Sequence, residues 1–112
     1  MAKQKAERRS HKRMDMDCLI EILRNQAGRP IRGRTVNLSD GGAMVSVPIQ
    51  SIPDLGEKVD VTISLPRSTP NSRMIETVSS SAKVVRHEPG VDDAVGFIAV
   101  QFPRPMDLDL EV

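Results

Sequence analysis

Lys58-Val59-Asp60-Val61-Thr62-Ile63-Ser64-Leu65 alternates polar and apolar residues without a fault over eight positions. Successive side chains of a strand point to opposite faces, so Val59, Val61, Ile63 and Leu65 make one buried stripe and the other four face solvent. The same period recurs on either side. Met14 to Leu23 sets Met16, Cys18, Ile20 and Ile22 against Asp15, Asp17 and Glu21. Ile31 to Leu38, Ala43 to Val47, Ile75 to Arg86 and Ala94 to Phe102 read as further strands. Between them lie turn signals: Asn25 to Pro30, where Gly28 can take a positive φ; Ser39-Asp40-Gly41-Gly42; and the loop marked by Pro48, Pro53 and Gly56. Pro66 to Arg73 reads as an irregular, mobile connection, and Pro103 and Pro105 stop the last strand because proline cannot donate a ladder bond. Six strands so spaced predict a small antiparallel barrel or sandwich, and no apolar-periodic stretch is long enough for the crossover helix of a βαβ nucleotide-binding fold.

The 112 residues suit one domain, and Val, Ile, Leu and Phe make up 29 of them, enough for a core built almost wholly from aliphatic side chains. Trp and Tyr are absent and Phe97 and Phe102 are the only aromatics, so the stacking platforms of single-strand nucleic-acid binders lose most of their usual material. The single cysteine, Cys18, excludes an internal disulfide and reads as core, and His11 and His87 make no metal-ligand spacing. A reducing, cytoplasmic compartment without membrane insertion is expected. Charge is uneven. Residues 1–13 hold six cations against Glu7, a net +5, which leaves −4 on the remaining 99 residues. The expected organisation is a flexible basic arm over 1–13, a β-domain over 14–103 and an acidic tail over 104–112 that frays.

No serine-histidine-aspartate elbow, phosphate-cradling glycine loop or aromatic-lined pocket is present, so an enzyme is not expected. Two features stand out. Arg9-Ser10-His11-Lys12-Arg13 places two arginines four apart where the arm meets the first strand, and Asn37-Leu38-Ser39-Asp40-Gly41-Gly42 ends a strand in a hydroxyl and paired glycines. Guanidinium groups pair bidentately with phosphate oxygens and with the O6/N7 edge of guanine. Asn37 can donate to and accept from a purine edge, Ser39 can bond a base or a phosphate, and Gly41 and Gly42 leave the backbone open to a ligand. A guanine nucleotide with several phosphates would use all of them. Lys58, on the solvent side of its strand, is expected to take no part.

These residues resemble the PilZ domains, bacterial receptors for cyclic di-GMP. The resemblance rests on Arg9-x-x-x-Arg13, Asn37-x-Ser39-x-x-Gly42, Ala82-Lys83-Val84-Val85-Arg86 and Gly96 to Phe102, and covers roughly residues 7–102. It implies a stand-alone PilZ domain with a six-stranded antiparallel barrel and a short or absent C-terminal helix. It also implies that Arg9 and Arg13 bind guanine edges and phosphates, that Asn37 meets a guanine and Ser39 a guanine or a phosphate, and that Gly41 and Gly42 allow close approach. Arg8 stands where an additional arginine accompanies an intercalated ligand dimer in this family, so two ligands per chain are expected. Asn37 departs from the aspartate of many relatives, and an amide has one acceptor oxygen for guanine N1–H and N2–H₂ where a carboxylate has two. The implied function is a cyclic di-GMP effector with no cofactor, whose surface changes to regulate a downstream protein in motility, attachment or exopolysaccharide production. The alternatives are an adaptor of the same fold that binds no nucleotide and, third, a small barrel that binds nucleic acid through the arm.

Overall fold

Val59, Val61, Ile63 and Leu65 are each at most 3 % exposed in the computed structural model, which describes residues 13–24, 28–90, 94–106 and 108. They sit on the longest but one of seven strands: β1 (Arg13–Met14), β2 (Leu19–Arg24), β3 (Ile31–Ser39), β4 (Gly42–Pro48), β5 (Lys58–Thr69), β6 (Ser72–Pro89) and β7 (Val95–Gln101). One turn of 3-10 helix, Ile49–Ser51, is the helical structure of the described residues. The pairings are antiparallel and run β3-β2-β5-β6-β7-β4, with β4 returning to β3, so six strands close a barrel and β1 adds a short seventh to β3. Closure removes most of the unpaired strand edge that an open sheet exposes. The inward stripes of all six strands, among them Ile20, Leu38, Val45, Ile63, Val84 and Ile98, fill the interior, and Phe102 is buried in the same cluster. Cys18 is buried in this core, and Gly28 has the positive φ its turn needs.

Three expectations are corrected. Pro66 to Arg73 is a regular hairpin, in which Pro66 faces Ile75, Arg67 faces Met74 and Thr69 faces Ser72. Proline is tolerated there because β2 pairs with β5 only as far as Ser64, so the edge at Pro66 has no ladder to lose. The acidic tail does not fray at Leu108, whose side chain is fully buried. Met106 N–H donates to the Asp40 carbonyl at 2.8 Å, Leu108 N–H donates to Asp40 Oδ1 at 3.3 Å, and Arg67 donates to the Leu108 carbonyl.

The third correction concerns the first strand, which is interrupted. Arg13 and Met14 pair with Ser39 and Leu38, and Leu19 pairs with Arg34, so four residues, Asp15 to Cys18, must span three, Thr35 to Asn37. A buried threonine absorbs the mismatch: Thr35 Oγ1 accepts from Cys18 N–H at 2.8 Å and donates to the Met16 carbonyl, while Thr35 N–H reaches the Cys18 carbonyl at 2.9 Å. Thr35→Val keeps the shape and removes both side-chain bonds. It is expected to cost about 1–3 kcal/mol, the penalty for a buried donor left without a partner. Urea denaturation measures this, and an unchanged midpoint would show that the hydroxyl does not hold the segment.

The loop after the 3-10 turn is tied down by charge. Arg24 Nε and Nη2 donate to Glu57 Oε2 and Oε1 at 2.7 and 2.8 Å, and Asp54 N–H donates to Oε1 at 2.9 Å. His87 Nε2 and the Pro53 carbonyl, 2.7 Å apart, fix the same loop to β6. The hydrogen bond from Arg24 holds the Glu57 carboxyl below its ordinary range, against the opposing effect of burial. With the folded value below the unfolded one, the pair stabilises the fold above the usual carboxylate range and loses that contribution as pH falls through the folded value. Glu57→Gln is therefore expected to flatten the acid limb of stability against pH, measured by urea midpoints from neutral to acid conditions.

Candidate functional site

Strict alternation would turn Asn37 inward, because Gly33 and Thr35 of the same strand are buried. It faces outward because β3 is bulged: Thr35 pairs with Val45 and Asn37 with Met44, leaving Val36 as the extra residue. A bulge inserts one unpaired residue and so reverses the facing of everything beyond it. The same device acts on β6. Val84 is buried and pairs with Val100, the register slips at Val85, and Arg86 pairs with outward-facing Ala99. Without that bulge Arg86 would point into the core.

The two bulges assemble a row across four strands. Asn37 lies opposite Met44, Met44 opposite Ala99, and Ala99 opposite Arg86. The next row runs Arg13, Ser39, Gly42, Gln101 and Lys83 by the same successive pairings. Over these rows lies a cleft of about 530 Å³ lined by Arg13, Asn37, Ser39, Gly41, Gly42, Met44, Arg86, Ala99 and Gln101, together with Ala43, Val85, Val100, Phe102 and prolines 103 and 105. Among the described residues its cations are Arg13 and Arg86, and no carboxylate lines it. Arg86 Nε rests 3.0 Å from Glu88 Oε2, an exposed pair that an anion can displace at small cost. Met44 and Ala99 give the cleft an apolar floor between polar ends, the composition typical of a small-molecule site.

Five of the sequence-derived residues, Arg13, Asn37, Ser39, Gly41 and Gly42, thus line one cleft. Arg8 and Arg9, with the arm over residues 1–12, lie outside the described residues. Two of the five also serve the fold. Ser39 Oγ accepts from Gly41 N–H at 3.2 Å and donates to the Gly42 carbonyl at 3.3 Å, which shapes the turn and leaves one acceptor lone pair. A Cβ on Gly42 would collide with the Val100 carbonyl, so glycine is required by the approach of β7, and neither Gly41 nor Gly42 has a positive φ.

Arg86, Gln101 and Met44 are additional lining residues that the motif reading did not assign. The signal for Arg86 was its place at the end of Ala82-Lys83-Val84-Val85-Arg86, but its facing depends on a bulge. Lys58 pairs with Lys83, which pairs with Gln101, so it extends the second row beyond the cleft without lining it.

Comparison with known proteins bears on this geometry. A family model described as PilZ domain matches residues 7–111. No curated protein matches the chain. Among solved structures, that of the Bacillus subtilis inhibitor of motility (MotI/DgrA) is similar, with a TM-score of 0.71 and 20 % identity over 90 % of this chain and 45 % of that one. At that identity the likeness concerns the fold, and this chain spans less than half the length of its neighbour.

Proposed function

The chain belongs to the PilZ domain family, and from that membership and the cleft on its barrel we propose that it is a receptor for cyclic di-GMP. PilZ domains are receptor and adaptor domains, and cyclic di-GMP binding is the function of the family. The observation that carries the reading is the meeting of Arg13, Asn37, Ser39, Gly41 and Gly42 in one cleft that no carboxylate of the described residues lines. In this reading Asn37 and the free lone pair of Ser39 take a guanine edge, and Met44 and Ala99 support the purine face in place of an aromatic ring. Arg13, joined by Arg9 and Arg8 from the arm, neutralises the phosphodiesters. Ligand binding changes the surface that a downstream protein reads. The neighbour described as an inhibitor of motility makes motility the first process to examine.

Calorimetric titration with cyclic di-GMP beside GTP and cyclic di-AMP tests the proposal, and a stoichiometry of two supports the role of Arg8. Asn37→Ala is expected to weaken cyclic di-GMP binding by about 0.5–1.5 kcal/mol, the net worth of one hydrogen bond. Arg32→Ala is the matched control, since Arg32 faces Glu21 across β2 and β3 at 3.3 Å and does not line the cleft. Equal losses in both would point to nonspecific attraction. The structural duties of Ser39 and Gly42 favour one second reading, an adaptor that keeps the turn for folding alone. Absence of saturable cyclic dinucleotide binding would select it.

A further inference from the structure

Lys58 and Lys83 lie directly opposite one another on neighbouring strands, both exposed on the outer face of the barrel. Like charges in that relation repel, and strand pairs usually avoid them. Elsewhere on this surface the fold supplies partners: Arg24 has Glu57, Arg34 has Asp17, Arg67 has Glu76 and Arg86 has Glu88. Among the described residues neither lysine has an ion-pair partner, and the outward carboxylate nearest along β5, Asp60, faces Ser81 in the adjoining row and does not line the cleft beside them. That cleft, of about 340 Å³, is lined by the two lysines, Ser81 and Gln101, with Phe102 and Pro103 as its apolar wall. The residues that line it carry two ammoniums, a hydroxyl and an amide, donors of the kind a tetrahedral oxyanion takes.

We infer that Lys58 and Lys83 form an anion site of their own that takes a phosphate group. Gln101 lines both this cleft and the larger one, so the two are contiguous. They also share Phe102 and Pro103, and Arg86 of the larger cleft lies three residues from Lys83 on the same strand. Arg13 is four pairing steps from Lys83, on the order of 19 Å along the sheet at the usual spacing of neighbouring strands, so the lysines add an anion site at the end of the cleft away from Arg13. The inference stands apart from the cyclic di-GMP reading, because the repulsion between the lysines and the cleft beside them do not depend on what fills the larger cleft.

The test is thermal unfolding of the full chain with inorganic pyrophosphate, potassium chloride holding ionic strength constant. Pyrophosphate should raise the melting temperature of the parent saturably. Lys58→Gln and Lys83→Gln should each weaken that response about tenfold, as loss of a charged hydrogen-bonding group does. Without pyrophosphate both variants should melt no lower than the parent, because a repulsion has been removed. An equal response in parent and double variant, or none in the parent, overturns the inference. Titration of the double variant with cyclic di-GMP and with a linear guanine dinucleotide 5′-monophosphate identifies the source. Loss of affinity for the first assigns the site to a phosphodiester of the cyclic ligand, and loss for the second alone to a terminal phosphate. Should the parent bind no cyclic di-GMP, the receptor reading falls and the pyrophosphate response still decides this one.

Discussion

Replacing Arg9 and Arg13 together by alanine is expected to weaken cyclic di-GMP binding by about 1.5–3 kcal/mol for each guanidinium lost, the range for hydrogen bonds to charged groups. Arg13 supplies the reason on the barrel side: it is exposed, lines the cleft and contributes nothing to the core. Arg9 precedes it by four residues and brings the second cation of the motif. Because Arg13 pairs through its backbone with Ser39, alanine keeps the strand, and the melting temperature should be unchanged. Calorimetry on the double variant reads the affinity. Undiminished binding with an intact fold would refute the assignment of the arginines, whatever else holds the nucleotide.

Leu108→Ala is expected to destabilise the fold by about 2–5 kcal/mol, the cost of emptying a buried leucine site. A frayed tail would predict no effect. The side chain is fully buried, and the backbone around it is bonded to Asp40 and Arg67, which belong to the β3–β4 turn and the β5–β6 hairpin. Leu55, 63 % exposed, is the control. Its replacement by alanine should stay within about 0.5 kcal/mol of the parent. Urea denaturation at neutral pH compares the two, and equal midpoints would return the tail to the solvent-exposed role its charges suggest. Since the Asp40-Gly41 turn joins Ser39 to Gly42, loosening the tail should also be felt at the cleft.

Residue order alone determined most of the strands and their buried stripes, though not the break between β1 and β2 or the hairpin over Pro66 to Arg73. Val59 to Leu65, Ile20 with Ile22, and Ala43 to Val47 each needed only the period of two, because side-chain facing within a strand is a local property of the backbone. The motif residues were legible for a similar reason, since guanidinium, amide and hydroxyl chemistry is carried by residue type.

Three things waited for tertiary structure. The facing of Asn37 and Arg86 depends on bulges at Val36 and Val85, and a bulge is settled by the register of the partner strand, which alternation within one strand does not encode. Lys58 joined the neighbourhood of Gln101 only when the barrel closed and β6 came to lie between β5 and β7. Leu108, set between Asp107 and Asp109, reads as part of a frayed end until the core built by residues far away in the chain takes up its side chain. Burial there is a gain that only distant parts of the fold can provide.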